Sequence, residues 1–124
     1  MEKCQGSITI VSSIVAEVLE LPGLCLYAAT KGAVNAFTRN LVTELTPRKV
    51  RINAVAPGPT DTPMFDKGNS TPEEVAGFKE MLELKIPMAR LGSPEEVAQV
   101  IVAQLESTYV TCAIWTVDGG VSVT

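Results

Sequence analysis

Hydrophobic and polar positions along this chain change period several times, and each change marks an element. Ser7 to Ser13, "SITIVSS", is a short β-branched run of the kind buried on both faces of a parallel sheet. A loop with Pro22-Gly23 follows. Val34, Phe37, Leu41, Val42 and Leu45 then recur at helical spacing until Pro47 stops the run. Val50 to Gly58, "VRINAVAPG", reads as a second buried strand ended by a Pro-Gly breaker. Thr71-Pro72-Glu73-Glu74-Val75 and Ser93-Pro94-Glu95-Glu96-Val97 each offer a hydroxyl N-cap, proline at the first helical position and glutamate at the third. Their recurrence is helix punctuation, not a sequence repeat. Ala113 to Gly120, "AIWTVDGG", is a last strand, with Asp118 shaping the turn and Trp115 packing the strand. Strand, helix, strand, helices, strand is α/β alternation, with right-handed crossovers expected between parallel strands.

Composition narrows the chemistry. The 124 residues fit one domain, 46% hydrophobic and 19% charged, able to bury a core. Net charge is −4, and Lys and Arg are scattered apart from Arg48-Lys49-Val50-Arg51, so no nucleic-acid partner is expected. There is no histidine, which removes the commonest general base and the commonest metal ligand. Acid–base chemistry near neutral pH is left to Tyr, Lys, Cys or a carboxylate, and no metal site is expected. Cys4, Cys25 and Cys112 lack paired ligand spacing and read as free thiols in a reducing compartment. The apolar run near Met1 is too short for a signal peptide, and no segment is long enough to span a bilayer. A soluble cytoplasmic protein without a membrane partner is the expectation.

Parallel α/β sheets place their sites beyond the carboxyl ends of the strands. Three features fall there: Ser12-Ser13, the start of the helix with Tyr27 and Lys31, and the loop Pro57-Gly58-Pro59-Thr60-Asp61-Thr62. Tyr27 and Lys31 are four residues apart and share one helix face. Alone the pair reads as two surface side chains lying over apolar neighbours. In this order with the serines and the Pro-Gly loop it is far more specific.

These motifs, across nearly the whole chain from "GSITIVSS" to "WTVDGG", resemble the short-chain dehydrogenase/reductase family, specifically the carboxyl-terminal half of a carbonyl-reductase or 3-oxoacyl-reductase type of member. The resemblance implies a Rossmann-type three-layer α/β/α fold with a parallel sheet. It implies Tyr27 as general acid/base in interconverting a ketone and an alcohol with NAD or NADP. A phenol titrates near 10 in isolation, and a nearby Lys31 ammonium favours the phenolate. The resemblance also gives Lys31 a bond to the nicotinamide ribose and Ser13 a hydrogen bond to the substrate oxygen. Ser12 is the alternative to Ser13. In the Pro57-Gly58 loop, the Thr60 backbone would meet the carboxamide and the Thr62 hydroxyl the cofactor, unless Thr62 is only a turn residue before Pro63. Family members commonly associate through the tyrosine-bearing helix, so a homo-oligomer or pairing with a full-length relative is expected.

The family's Thr-Gly-x-x-x-Gly-x-Gly turn, which admits the pyrophosphate to a helix N-terminus, is not in these 124 residues, nor are its Asn-Asn-Ala-Gly segment and catalytic asparagine. The expectation is a single partial domain, 1–124, with the amino-terminal half missing. Such a chain would leave "SITIVSS" with an unpaired apolar edge and would be inactive alone. The alternative is a non-enzymatic remnant that pairs with a full-length relative or does not fold independently. Smaller departures are local. Ser13 lies fourteen residues before Tyr27, one more than the usual spacing. Glu17 falls near a common glycine position, where a carboxylate would crowd or repel substrate. The connection before Tyr109 is a few residues short, and Cys112 replaces a small glycine. Glu73, Glu74, Glu95 and Glu96 read as capping and solvated helix-start charges.

Overall fold

The computed structural model describes residues 5–17, 22–66 and 70–123, so Cys4 and part of the segment between Ser13 and Tyr27 lie outside the described residues. Three strands form one parallel sheet in the order β1-β2-β3: β1 Gly6–Val11, β2 Val50–Pro57 and β3 Ile114–Val117. The helices are α1 Cys25–Leu45, α2 Pro72–Glu83 and α3 Pro94–Glu106. Strands and helices thus form where the period of the sequence places them.

β2 is paired on both sides and buried from Arg51 to Ala56, as a central parallel strand must be. β1 stands at the edge, with Ile8 39% and Val11 47% exposed. Strand side chains alternate between faces. On one face, in the register Ile8↔Ile52 and Ile10↔Ala54, Ser12 reaches the Lys31 carbonyl of α1. From the other face Arg51 reaches the end of α3. The layers are therefore α/β/α. Because the strand order advances without reversal while the helices cover opposite faces, the two crossovers have opposite hands. The right-handed rule holds for only one of them.

The helix-facing core differs from the apolar stripe. On α1 the fully buried residues are Asn35 and Thr38, while Phe37 is 55% exposed. One residue is about 100° of helix, so Phe37 is turned away from the line through Asn35 and Thr38. Thr38 satisfies its hydroxyl on the Val34 carbonyl at 2.9 Å. Arg51, the last of the Arg48-Lys49-Val50-Arg51 run, lies in β2. It is buried, and its guanidinium donates to the carbonyls of Gln104, Leu105 and Val110 at 2.8–3.0 Å. These include orphan carbonyls of the last turn of α3, where the helix dipole favours a cation.

Both capping boxes form. Thr71 and Ser93 accept from the amides of Glu74 and Glu96, and each glutamate accepts from its cap's backbone N–H. Glu96 is also gripped by Arg90, at 2.6 and 2.9 Å. Asp118 closes its turn by accepting from the amides of Gly120 and Ser122 at 3.0 and 2.7 Å. Burial opposes its ionisation, and the hydrogen bonds from Ser122 and Gly120 outweigh that, so its carboxyl titrates below the ordinary range.

Two outcomes are expected. Cys112 adopts φ +63°, a left-handed conformation that costs a side-chain-bearing residue about 1 kcal/mol. Cys112→Gly should match or raise the thermal midpoint, and Cys112→Val, β-branched, should lower it. Glu96 is held at about 2 against an ordinary 4.5, by the Arg90 hydrogen bonds first and the Ser93 amide second. Its contribution is thus fully present above about pH 4.5 and is lost as pH falls from there through about 2. The gap in melting temperature between the parent and Glu96→Gln should be open at pH 6 and close across that window.

Candidate active site

The carboxyl ends of β1 and β2 meet at one rim of the sheet, and the start of α1 faces that rim. The Ser12 amide donates to the Val55 carbonyl at 2.7 Å, carrying the ladder one residue past β1. The two serines then diverge. Ser12 is buried, its hydroxyl 3.4 Å from the Lys31 carbonyl. Ser13, extended at φ −163°, caps the short 3₁₀ turn Ile14–Ala16 by accepting from the Val15 amide at 3.4 Å. A hydroxyl that accepts one bond still has its hydrogen to donate. Ser13 is the freer of the two.

Tyr27 and Lys31 occupy the first two turns of α1, which begins at Cys25. The Lys31 ammonium donates to the Val11 carbonyl at 2.9 Å and sits 5.7 Å from the centre of the Tyr27 ring. The phenol and ammonium share a face because that part of the helix borders the strand end, not the core. One lysine hydrogen is used on β1, and two remain.

The loop after β2 is folded back and tied down. Thr60 forms a parallel bridge with Gly92 that uses the Pro59 carbonyl and the Asp61 amide, not the backbone groups of Thr60 itself. The Thr60 hydroxyl donates to the Gly58 carbonyl at 3.0 Å. Lys79 of α2 grips Asp61 at 2.7 Å. Thr62 precedes the 3₁₀ turn Pro63–Asp66 and accepts from the Phe65 amide through its carbonyl.

A cavity of about 460 Å³ opens between these segments. Its walls include Ser12, Ser13, Tyr27 and Lys31 from the first two elements, and Pro57, Gly58, Thr60 and Thr62 from the loop. The structure thus brings together every site residue expected from the sequence. It also adds a wall that the sequence reading did not single out, including Met64, Phe65, Phe78 and Leu82. The apolar runs "PMF" and "FKEML" carry those residues, but nothing local says that they face the site.

Glu17 is not on the cavity wall among the described residues. It turns to α1, where its carboxylate accepts from Asn35 at 3.1 Å and Arg39 at 2.8 Å. The expectation that this carboxylate repels substrate is corrected: it finds partners one and two turns beyond Lys31. The described residues hold no cluster of His, Cys, Asp and Glu suited to a metal ion, and no helix among them is long and apolar enough to cross a membrane.

The family model described as Enoyl-(Acyl carrier protein) reductase matches residues 1–122. The 3-oxoacyl-[acyl-carrier-protein] reductase FabG of Thermotoga maritima is 44% identical over 120 residues, covering 95% of this chain and 46% of that protein. Carbonyl reductase family member 4 of Danio rerio is 39% identical over 119 residues, 95% of this chain and 46% of that protein. Among solved structures, a short-chain dehydrogenase/reductase of unknown function from Caenorhabditis elegans, solved with cofactor, superposes with a TM-score of 0.87 at 28% identity, covering 95% of this chain and 46% of that one. The chain spans about half the length of the curated relatives it matches.

Gly58 has a steric role separate from any ligand. A Cβ there would lie 2.6 Å from Asp118 Cβ and 2.8 Å from its Cα, and the Gly58 amide donates to the Val117 carbonyl at 2.9 Å. Gly58→Ala should push the end of β3 away and cost about 1–3 kcal/mol, read as a lower denaturation midpoint with no ligand present.

Proposed function

The chain belongs to the short-chain dehydrogenase/reductase family, and on that premise we propose that it carries the acid–base half of an NAD(P)-dependent oxidoreductase site that interconverts a carbonyl and an alcohol. The observation that supports this reading is that Ser13, Tyr27 and Lys31 line one cavity together with Pro57, Gly58, Thr60 and Thr62 of the loop after β2.

The residues present fit the nicotinamide end of such a cofactor. Lys31 keeps two donors after its bond to Val11, suited to ribose hydroxyls, and the Thr60 backbone and Thr62 hydroxyl border the same space. When bound, the cofactor supplies or accepts the hydride at the substrate carbon. Tyr27 gives its phenolic proton to the carbonyl oxygen, and in the reverse direction takes it back from the alcohol. The Lys31 ammonium stabilises the phenolate that forms, and the Ser13 hydroxyl holds the same substrate oxygen.

These 124 residues contain no glycine-rich turn to hold the cofactor's phosphates. On this reading they do not turn over substrate by themselves. Association, with a second copy or a full-length relative, is the complementary part of the proposal. Leu26 and Phe37 are exposed on α1, and among the described residues β1 pairs on one side only, which favours a partner.

The test restores a relative's amino-terminal segment by fusion or co-expression. Tyr27→Phe keeps the ring and removes the transferable proton, so turnover should fall about 10²–10⁴-fold with cofactor binding little changed. Lys31→Ala removes both the charge and the ribose donor, so cofactor binding should weaken as well. Near-normal turnover in the Tyr27→Phe hybrid would overturn the catalytic reading.

A further inference from the structure

We infer that this site takes an uncharged ketone or alcohol bearing one apolar arm, and that Met64, Phe65 and Phe78 form the wall that selects it. The inference rests on the reading of Tyr27 as proton donor, because that residue fixes which end of the cavity holds the carbonyl.

Polarity is distributed unevenly in the cavity. Hydroxyls and the ammonium come from the end of β1, the start of α1 and the loop after β2, at Ser12, Ser13, Tyr27, Lys31, Thr60 and Thr62. The remaining described wall residues carry no polar side chain, and they include Leu24, Met64, Phe65, Phe78, Leu82 and Val97. Among the described residues that line the space there is no Asp, Glu, Arg, Asn or Gln, and Lys31 is the one charged side chain. Lys31 gives one hydrogen to the Val11 carbonyl and keeps its other two at the polar end of the space, away from Met64 and the two phenylalanines in the chain.

Among the described residues, a second ammonium near Phe65 is paired with a carboxylate. Lys79 is not on the wall. Its ammonium is 2.7 Å from the Asp61 carboxylate and 5.7 Å from the centre of the Phe65 ring. Asp61 holds it there and neutralises it. Phe65 itself packs on Phe78, ring centres 5.9 Å apart and tilted by 58°, a favoured aromatic geometry that gives the wall a fixed shape.

Met64 is 65% and Phe78 45% exposed, so this wall presents apolar surface that a hydrocarbon arm would remove from water. A carboxylate or phosphate placed on it would lose hydration and meet no unpaired counter-charge among the described wall residues beside it. The hydroxyls of a sugar-like substrate would find no side-chain partner on Met64, Phe65 or Phe78. A carbonyl at the polar end followed by hydrocarbon satisfies both regions.

The test is equilibrium binding to the 124-residue chain by ligand-observed saturation-transfer NMR. Three probes are compared: a straight-chain methyl ketone of eight carbons, its analogue with a terminal carboxylate, and erythrulose. The neutral ketone should bind about tenfold more tightly than either of the others. Met64 is exposed enough to accept a charge without loss of fold. Met64→Glu should weaken the neutral ketone, and Met64→Lys should bring the carboxylate analogue up by about tenfold. Phe78→Asp gives an independent check on the same wall. Equal or tighter binding of the carboxylate or of erythrulose by the parent would overturn the inference. So would the absence of ketone binding, or Met64 variants that leave all three affinities unchanged. Tyr27→Phe separates this inference from the proposed function: the binding preference should persist there, whereas failure of the acid–base reading appears only in the turnover of the hybrid.

Discussion

The parallel pairing of β1 with β2, in the register that sets Val11 opposite Val55, is the constraint on which the rest of the structure depends. It brings Ser12 and Ser13 alongside the end of β2 and continues through the Ser12 amide to the Val55 carbonyl. It also turns the Val11 carbonyl toward Lys31, which anchors the first turns of α1 at the rim. A slip of one residue would exchange the two faces of β1 and remove each of these relations together. The site is therefore a consequence of sheet register before it is a consequence of any single side chain.

The opposite end of the sheet is held by a different device. Arg51 is a buried cation with no carboxylate beside it among the described residues; its partners are three backbone carbonyls at and just past the end of α3. Carbonyl dipoles at a helix terminus are a reasonable substitute for an anion, because they carry the negative end of the macrodipole. Asn53 extends the arrangement, donating to the Val110 carbonyl and accepting from the Ala113 amide. Gln104 donates from α3 to the Ala54 carbonyl. Together these bonds tie α3 and the segment leading into β3 to the central strand, so a β3 of four residues is placed by side chains as much as by its ladder.

Between these anchors, the loop after β2 is shaped by contacts from several parts of the chain. Gly58 admits the end of β3, Gly92 bridges Thr60, and Lys79 holds Asp61. Its fixed course allows one short segment to contribute both polar groups near Tyr27 and the apolar wall beyond them. The capping boxes at Thr71 and Ser93 then set where α2 and α3 begin, which decides that Phe78, Leu82 and Val97 face the same cavity.

The sequence by itself determined the elements and which polar residues come together at the strand ends. β-Branched runs, helical spacing and Thr-Pro-Glu-Glu punctuation are local signals, and local sterics are enough to act on them. The order of Ser13, Tyr27, Lys31 and the Pro-Gly loop was likewise legible, because strand ends in a parallel sheet converge whatever the details of packing. Only the tertiary structure decided the partners. Arg51 stands in a basic run and finds its partners in three backbone carbonyls; Phe37 looked like core and is exposed; Glu17 looked like an obstacle and binds Asn35 and Arg39. The placing of α1 and α3 on opposite faces, and the apolar wall of Met64, Phe65 and Phe78, were equally invisible in one dimension. The physical reason is the same in each case: periodicity says which way a side chain points relative to its own element, whereas burial and pairing depend on what a distant part of the chain brings to meet it.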